Sequence, residues 1–153
     1  MLAAIGDTPY NIILFLHVLT AFVAMSPLFT LAVLARNSRT AGWTDRPAMF
    51  GLMSRYSMRI YGNALVISGL LGFGVAGLSD KVYSMSDPWL AAAFLLWIAM
   101  NGVLHALIRP SERAIAAAQT GDPAAESKLQ LGGMLLTVFF VVMLYLMVFT
   151  PGA

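Results

Sequence analysis

The sequence contains no cysteine. That excludes disulfides, thiolate metal sites and a thiol nucleophile, and it leaves the redox compartment unassigned. Charge is scarce as well, with nine Lys or Arg and seven Asp or Glu in 153 residues. An ordinary soluble domain is about one-quarter charged, so the 10% found here cannot cover a water-facing surface. A net charge of +2 is too small to point to nucleic acid. The long uncharged runs hold no Asp, Glu or Lys, the groups on which ion-coupled carriers and proton pumps depend. Nor do they pair a carboxylate with a histidine for hydrolysis. No low-complexity stretch, soluble domain or internal repeat is visible.

What is abundant is apolar surface. The chain is 59% hydrophobic with a mean hydropathy of +0.80, so its solvent is mostly lipid. Four uncharged runs are about the 20 residues that a spanning helix needs: Thr8–Ala35 (28 residues), Ile60–Ser79 (20), Pro88–Ile108 (21) and Leu129–Ala153 (25). Barrel strands would alternate apolar and polar residues. Asn11-Ile12-Ile13-Leu14-Phe15-Leu16 does not alternate, so the spans read as helices. The sequence thus predicts an all-α, four-helix transmembrane bundle forming a single domain over 1–153. Its helices are expected at about 10–35, 60–79, 88–109 and 123–150. The first span lacks the basic leader of a cleaved signal peptide, and Arg36 and Arg39 follow it as a stop-transfer signal. Pro27 should kink it.

Basic residues set the expected orientation. Arg36, Arg39, Arg46, Arg55 and Arg59 lie in the first connection, and Arg109, Arg113 and Lys128 in the third. Only Lys81 lies in the second. The cations are therefore expected in the cytoplasm, with both termini on the other side of a bacterial inner membrane. In the first connection, Thr44-Asp45-Arg46-Pro47 reads as a helix start. It opens an interfacial helix over about 46–59, or an extension of the second span, whose arginines meet anionic headgroups. Trp43 suits the aromatic belt. In the third connection, Arg109-Pro110 disfavours continued helix, a short surface helix is expected over about 111–119, Gly121 ends it, and Asp122-Pro123 starts the last helix. Ser86-Asp87-Pro88-Trp89 reads as a similar start, and Tyr10 and Trp89 mark the outer boundary.

Several intramembrane residues are candidates for chemistry or packing. Ala64, Ser68, Gly72 and Ala76 repeat every four residues, which lets two backbones approach closely in lipid. The stripe suits packing inside the monomer or a seam with another subunit. His17, an ionisable group within the first span, is a candidate ligand for haem iron, copper or a quinone, or else an interhelical hydrogen-bonding side chain. Asn63, Asn101, His105, Arg59 and Arg109 all fall in the cytoplasmic leaflet and form a candidate pocket for a lipid headgroup, a carboxylate or a haem propionate. A single haem held by both histidines is disfavoured. Their depths differ by ten residues, about 15 Å along the helices, whereas axial nitrogens lie only about 4 Å apart across a metal. Ten methionines, including Met25, Met100, Met134, Met143 and Met147, fit flexible packing better than a copper(I) site.

Phe15-Leu16-His17-Val18-Leu19-Thr20-Ala21, with the four-helix layout, resembles a group of bacterial membrane proteins that includes HemJ-type protoporphyrinogen oxidases and copper-resistance-D-like membrane domains. The run from Arg59 through the glycine-rich second span to Asp87-Pro88-Trp89 and Arg109-Pro110 looks most similar to an uncharacterised DUF-class family of predicted integral membrane proteins. The HemJ resemblance implies haem binding, with His17 as the helix-1 histidine. It also implies a lysine in the third helix, where this chain has Asn101 and His105. The copper-resistance resemblance implies copper uptake. The residues themselves favour a non-enzymatic structural or accessory subunit of a larger membrane complex, partnered by lipid and by other transmembrane subunits or copies of itself. A b-type haem or quinone protein centred on His17 is the alternative.

Overall fold

The computed structural model describes residues 5–40, 46–80, 82–84, 86–118 and 122–151, and among them every regular element is helical. Six α-helices run in chain order: α1 (Thr8–Thr40), α2 (Arg46–Tyr56), α3 (Asn63–Gly77), α4 (Pro88–Val103), α5 (Arg109–Ala117) and α6 (Pro123–Phe149). Two π-helical turns, Ser57–Gly62 and Leu104–Ile108, join α2 to α3 and α4 to α5. The chain therefore makes four long apolar helices, each able to cross a bilayer: Thr8–Leu28, Pro47–Gly77, Pro88–Ala117 and Pro123–Phe149. Trp43, the Thr44–Asp45 start, Lys81 and Gly121 lie outside the described residues.

The helices run further than the uncharged stretches do. α1 continues past its apolar part to Thr40, because the Leu-, Ala- and Arg-rich segment after Pro27 favours helix. The expected surface helix near 46–59 is continuous with the second span through the first π turn. Arg109-Pro110 does not end the third helix. Arg109 keeps helical angles, φ −59° and ψ −45°, and it alone separates the π turn of Leu104–Ile108 from the proline. Proline inside an α-helix removes a donor and drives its ring into the carbonyl four residues back, and a wider turn at that point relieves both conflicts. Pro27 is accommodated in another way. It leaves the Val23 carbonyl without its usual donor, and the Ser26 hydroxyl donates to that carbonyl at 2.9 Å.

Both proline-led helix starts are present, with different caps. At α6 the Asp122 carboxylate accepts from the Ala125 N–H at 3.0 Å. At α4 the Asp87 side chain makes no such bond; it turns back and accepts from the Ser84 N–H at 2.8 Å, tightening the loop instead.

Packing pairs α1 with α3 and α4 with α6, each antiparallel. The four-residue stripe forms the first of these seams. Ala64, Ser68 and Ala76 are buried, and a Cβ on Gly72 would meet the His17 ring 3.1 Å away. The stripe is thus used inside the monomer. Trp97 ties α4 to α3 by donating from Nε1 to the Leu65 carbonyl at 2.8 Å. Its indole lies over Gly69, where a Cβ would overlap it. Phe73 adds edge-on contacts to Phe94 and Trp97, with ring centroids 5.3 and 6.3 Å apart. Gly132 of α6 admits Ile108, whose Cδ1 would lie 2.7 Å from a Cβ there. The central core includes Met25, Ala64, Leu65, Met100, Leu104 and Leu136. A second core of Phe50, Ile115 and Ala125 binds α2, α5 and the start of α6 together. Large apolar side chains such as Phe15, Phe22, Leu95 and Val148 point outward, as a lipid solvent requires.

The Gly69 contact predicts a large asymmetry between glycines. Gly69→Val should lower unfolding stability in detergent by about 1–3 kcal/mol, because the indole is held in place by its own hydrogen bond. Gly102→Ala, with nothing within 4 Å of its added methyl, should be neutral or slightly stabilising. Equal melting midpoints for the two variants would contradict this packing.

Candidate functional site: an arginine cleft at one end of the bundle

Two walls of helix define a cleft of about 530 Å³ at the end of the bundle away from the 79–87 loop. Ser54, Arg55, Met58 and Arg59 line one wall, where α2 passes into the first π turn. Arg109 and Arg113 line the other, at the start of α5 just beyond the second π turn. Each arginine pair is four residues apart, a spacing that sets both side chains on one helix face. The π turns also meet behind the cleft. A Cβ on Gly62 would lie 3.4 Å from Leu104 Cδ2 and 3.0 Å from Met58 Cε.

The cleft lies at the charged end of the second and third long helices. Pro88–Ile108 is 21 residues, about 31 Å of helix, which already matches the hydrocarbon thickness. A span that begins at Pro88 would therefore leave Arg109–Ala117 beyond the hydrocarbon. Arg55, Arg59 and Arg113 are exposed, whereas Arg109 is half-buried and its Nε is sealed without a hydrogen-bond partner. Guanidinium groups so placed present planar forks suited to phosphate or carboxylate oxygens.

Glu112 lies beneath this surface at 1% exposure. On α5 it is buried alongside Ile108 and Ile115, three residues from Arg109, and it is not part of the cleft lining. It hydrogen-bonds the buried Ser57 hydroxyl, while its Oε2 is sealed without a partner. Burial pushes the Glu112 carboxyl up to about 7, and the Ser57 bond offsets part of that rise.

The residues singled out in the sequence divide between places. Arg59 and Arg109 share the cleft. Asn63 donates to the Arg59 carbonyl at 3.0 Å and Asn101 to the Trp97 carbonyl at 2.8 Å, each bond within its own helix run. His105 is exposed on the second π turn. The cleft lining includes none of these three: the two amides bond carbonyls four residues back, and His105 lies one turn before Arg109 on the exposed surface. His17 lies in the α1–α3 seam, where Nδ1 bonds the Ser68 carbonyl at 2.7 Å and the Ser68 hydroxyl donates to the His17 carbonyl at 3.4 Å. Among the described residues no three His, Asp or Glu side chains converge as a metal cluster. Arg55, Arg113 and Glu112 are additional. The repeated four-residue arginine spacing was the available signal for the first two; nothing in the sequence marks Glu112 as buried.

No family model, curated protein or solved structure matches this chain.

Because folding raises the affinity of Glu112 for its proton, the folded state binds more protons than the unfolded state between pH 4.5 and about 7. Stability from this group is therefore fully present below 4.5, declines as pH rises to about 7 and is flat above. The decline is roughly 3 kcal/mol at most. Glu112→Gln should flatten that part of the stability–pH curve in chemical denaturation. An unchanged slope in the variant would assign the dependence elsewhere.

Proposed function

We propose that the chain is a non-enzymatic, multi-pass component of a bacterial inner membrane, an accessory subunit that engages an anionic amphiphile through its arginine cleft. The single observation that carries this reading is the convergence of Arg55, Arg59, Arg109 and Arg113 on one cleft at the charged end of the second and third long helices. The lining presents cations, one hydroxyl and one thioether, a set suited to holding an anion. Basic pockets between membrane helices on the cytoplasmic side are a known way to bind anionic headgroups. The same asymmetry of basic residues supports a cytoplasmic cleft, with both termini outside. The outward apolar faces support contact with lipid and with partner helices.

Native mass spectrometry of the protein purified in mild detergent tests the reading. The protein should retain anionic over zwitterionic lipid, and a companion subunit should co-purify. Each arginine near the surface is worth about 1 kcal/mol. Arg59→Gln with Arg109→Gln should therefore weaken anionic lipid retention by about thirtyfold, whereas His105→Gln should leave it unchanged. Equal retention of zwitterionic lipid would remove the headgroup reading, and a strictly monomeric, partner-free species would remove the accessory role.

A second reading rests on His17. A proton on Nδ1 donated to the Ser68 carbonyl leaves the Nε2 lone pair free to serve as a ligand, the arrangement common to metal-binding histidines. Haem bound there would supply one-electron redox chemistry, and this chain would contribute the oriented imidazole. A Soret band in the purified protein that is lost in His17→Ala would support the reading. A colourless preparation after haem supplementation would exclude its haem form, leaving the imidazole as a seam hydrogen bond.

A further inference from the structure

The cleft has more charge than one headgroup phosphate can balance. Its lining holds four guanidiniums and no carboxylate. The acid nearest in sequence, Glu112, is sealed and hydrogen-bonded to Ser57 and is not part of the lining. The four cations are also divided. Arg55 and Arg59 form one two-pronged wall, and Arg109 and Arg113 form another across the cleft. A phosphodiester brings one negative charge, and a terminal phosphate brings about 1.5 to 2. One such group would leave at least one wall without its counterion. The open cleft has a volume of about 530 Å³, room for two linked phosphates as well as the charge to meet them.

Resting on the headgroup reading above, we infer that the cleft is built for a ligand carrying two phosphoryl groups, a diphosphate or a bis-phosphate, with one arginine pair for each phosphate. Fork-shaped side chains suit this task, because each can engage two phosphate oxygens at once. Met58 gives the cleft its one apolar lining side chain and contacts the bundle core. That places an apolar edge beside the phosphate site, where the first methylenes of a lipid tail would emerge. The same chemistry could be presented by a membrane lipid or by a soluble diphosphate.

The test compares ligands that share a tail and differ by one phosphate. Full-length protein in a nonionic detergent is titrated with farnesyl diphosphate, farnesyl monophosphate, inorganic pyrophosphate and inorganic phosphate, with binding followed by native mass spectrometry. Farnesyl diphosphate should bind at least tenfold more tightly than the monophosphate. Arg55→Gln with Arg59→Gln should reduce diphosphate binding to the monophosphate level, and Arg109→Gln with Arg113→Gln should do the same. Arg→Lys versions of each pair keep the charge and fold while losing the fork, and should bind at intermediate strength. Pyrophosphate bound as tightly as farnesyl diphosphate identifies a soluble source, and pyrophosphate bound much more weakly identifies a lipid. Equal affinity for one and two phosphates overturns this inference while leaving the headgroup reading intact. Failure to bind any of the four ligands, together with no preference for anionic lipid, overturns both.

Discussion

Hydrocarbon offers no hydrogen bonds, so every backbone N–H and C=O within the bilayer must find its partner inside the protein. A proline and a histidine in the apolar runs, and a second proline just past the end of one, put that requirement under strain, and each is answered locally. The Ser26 hydroxyl takes up the Val23 carbonyl left bare by Pro27. The His17 ring is bonded to the Ser68 carbonyl across the α1–α3 seam. Ahead of Pro110 the backbone widens into a π turn and stays helical. The third response has the widest consequence, because it carries α5 onward in line with α4 at the point where the arginines begin.

Had the helix broken at Arg109, the two walls of the cleft would have no fixed relation. A continuous helix through the π turn projects Arg109 and Arg113 from an element already packed against the core by Ile108 and Leu104. The opposite wall is fixed in the same manner, with the π turn of Ser57–Gly62 continuous with α3. Gly62 lets the two wide turns approach, and the Glu112–Ser57 bond crosses between them below the surface. π turns are rare and concentrate at functional sites. Here two of them flank one charged cleft, which makes it the best-positioned group of polar side chains among the described residues.

The spans were legible because the absence of charge over twenty residues has few explanations other than lipid. The small-residue stripe was legible for a similar reason: Ala64, Ser68, Gly72 and Ala76 at one spacing can only be a face. What it faces was not legible, since a seam within the monomer and a seam between subunits ask for the same residues. The continuity through Arg109-Pro110 was hidden because local rules disfavour helix before proline, and only tertiary packing of Ile108 against Gly132 and its neighbours shows why a widened helix is retained. The pocket was half legible. Arg59 and Arg109 follow from their place at the ends of spans, whereas Asn63 and Asn101 were drawn in by leaflet alone. A shared leaflet does not decide contact: each amide lies one or two turns along its helix from the arginine and bonds the carbonyl four residues before it.

The two ends of the bundle solve the membrane boundary in opposite ways. At one end Asp87 bends back to the Ser84 N–H, Tyr83 packs edge-on against Trp89 with centroids 5.4 Å apart, and Trp89 is buried with Ala93 and Leu146. Polar groups there are spent on closing a short loop over the helix ends. At the other end the arginines are left outside the core while the acid between them in sequence is turned inward. Exposed cations cost little at a wet boundary, whereas a buried, unpaired carboxylate is expensive when ionised. A fold selected for stability alone would set Glu112 outward to pair with Arg109 or Arg113. Burying the carboxyl instead leaves four guanidiniums around one cleft with no carboxylate in its lining, and the proposed anion site rests on that imbalance.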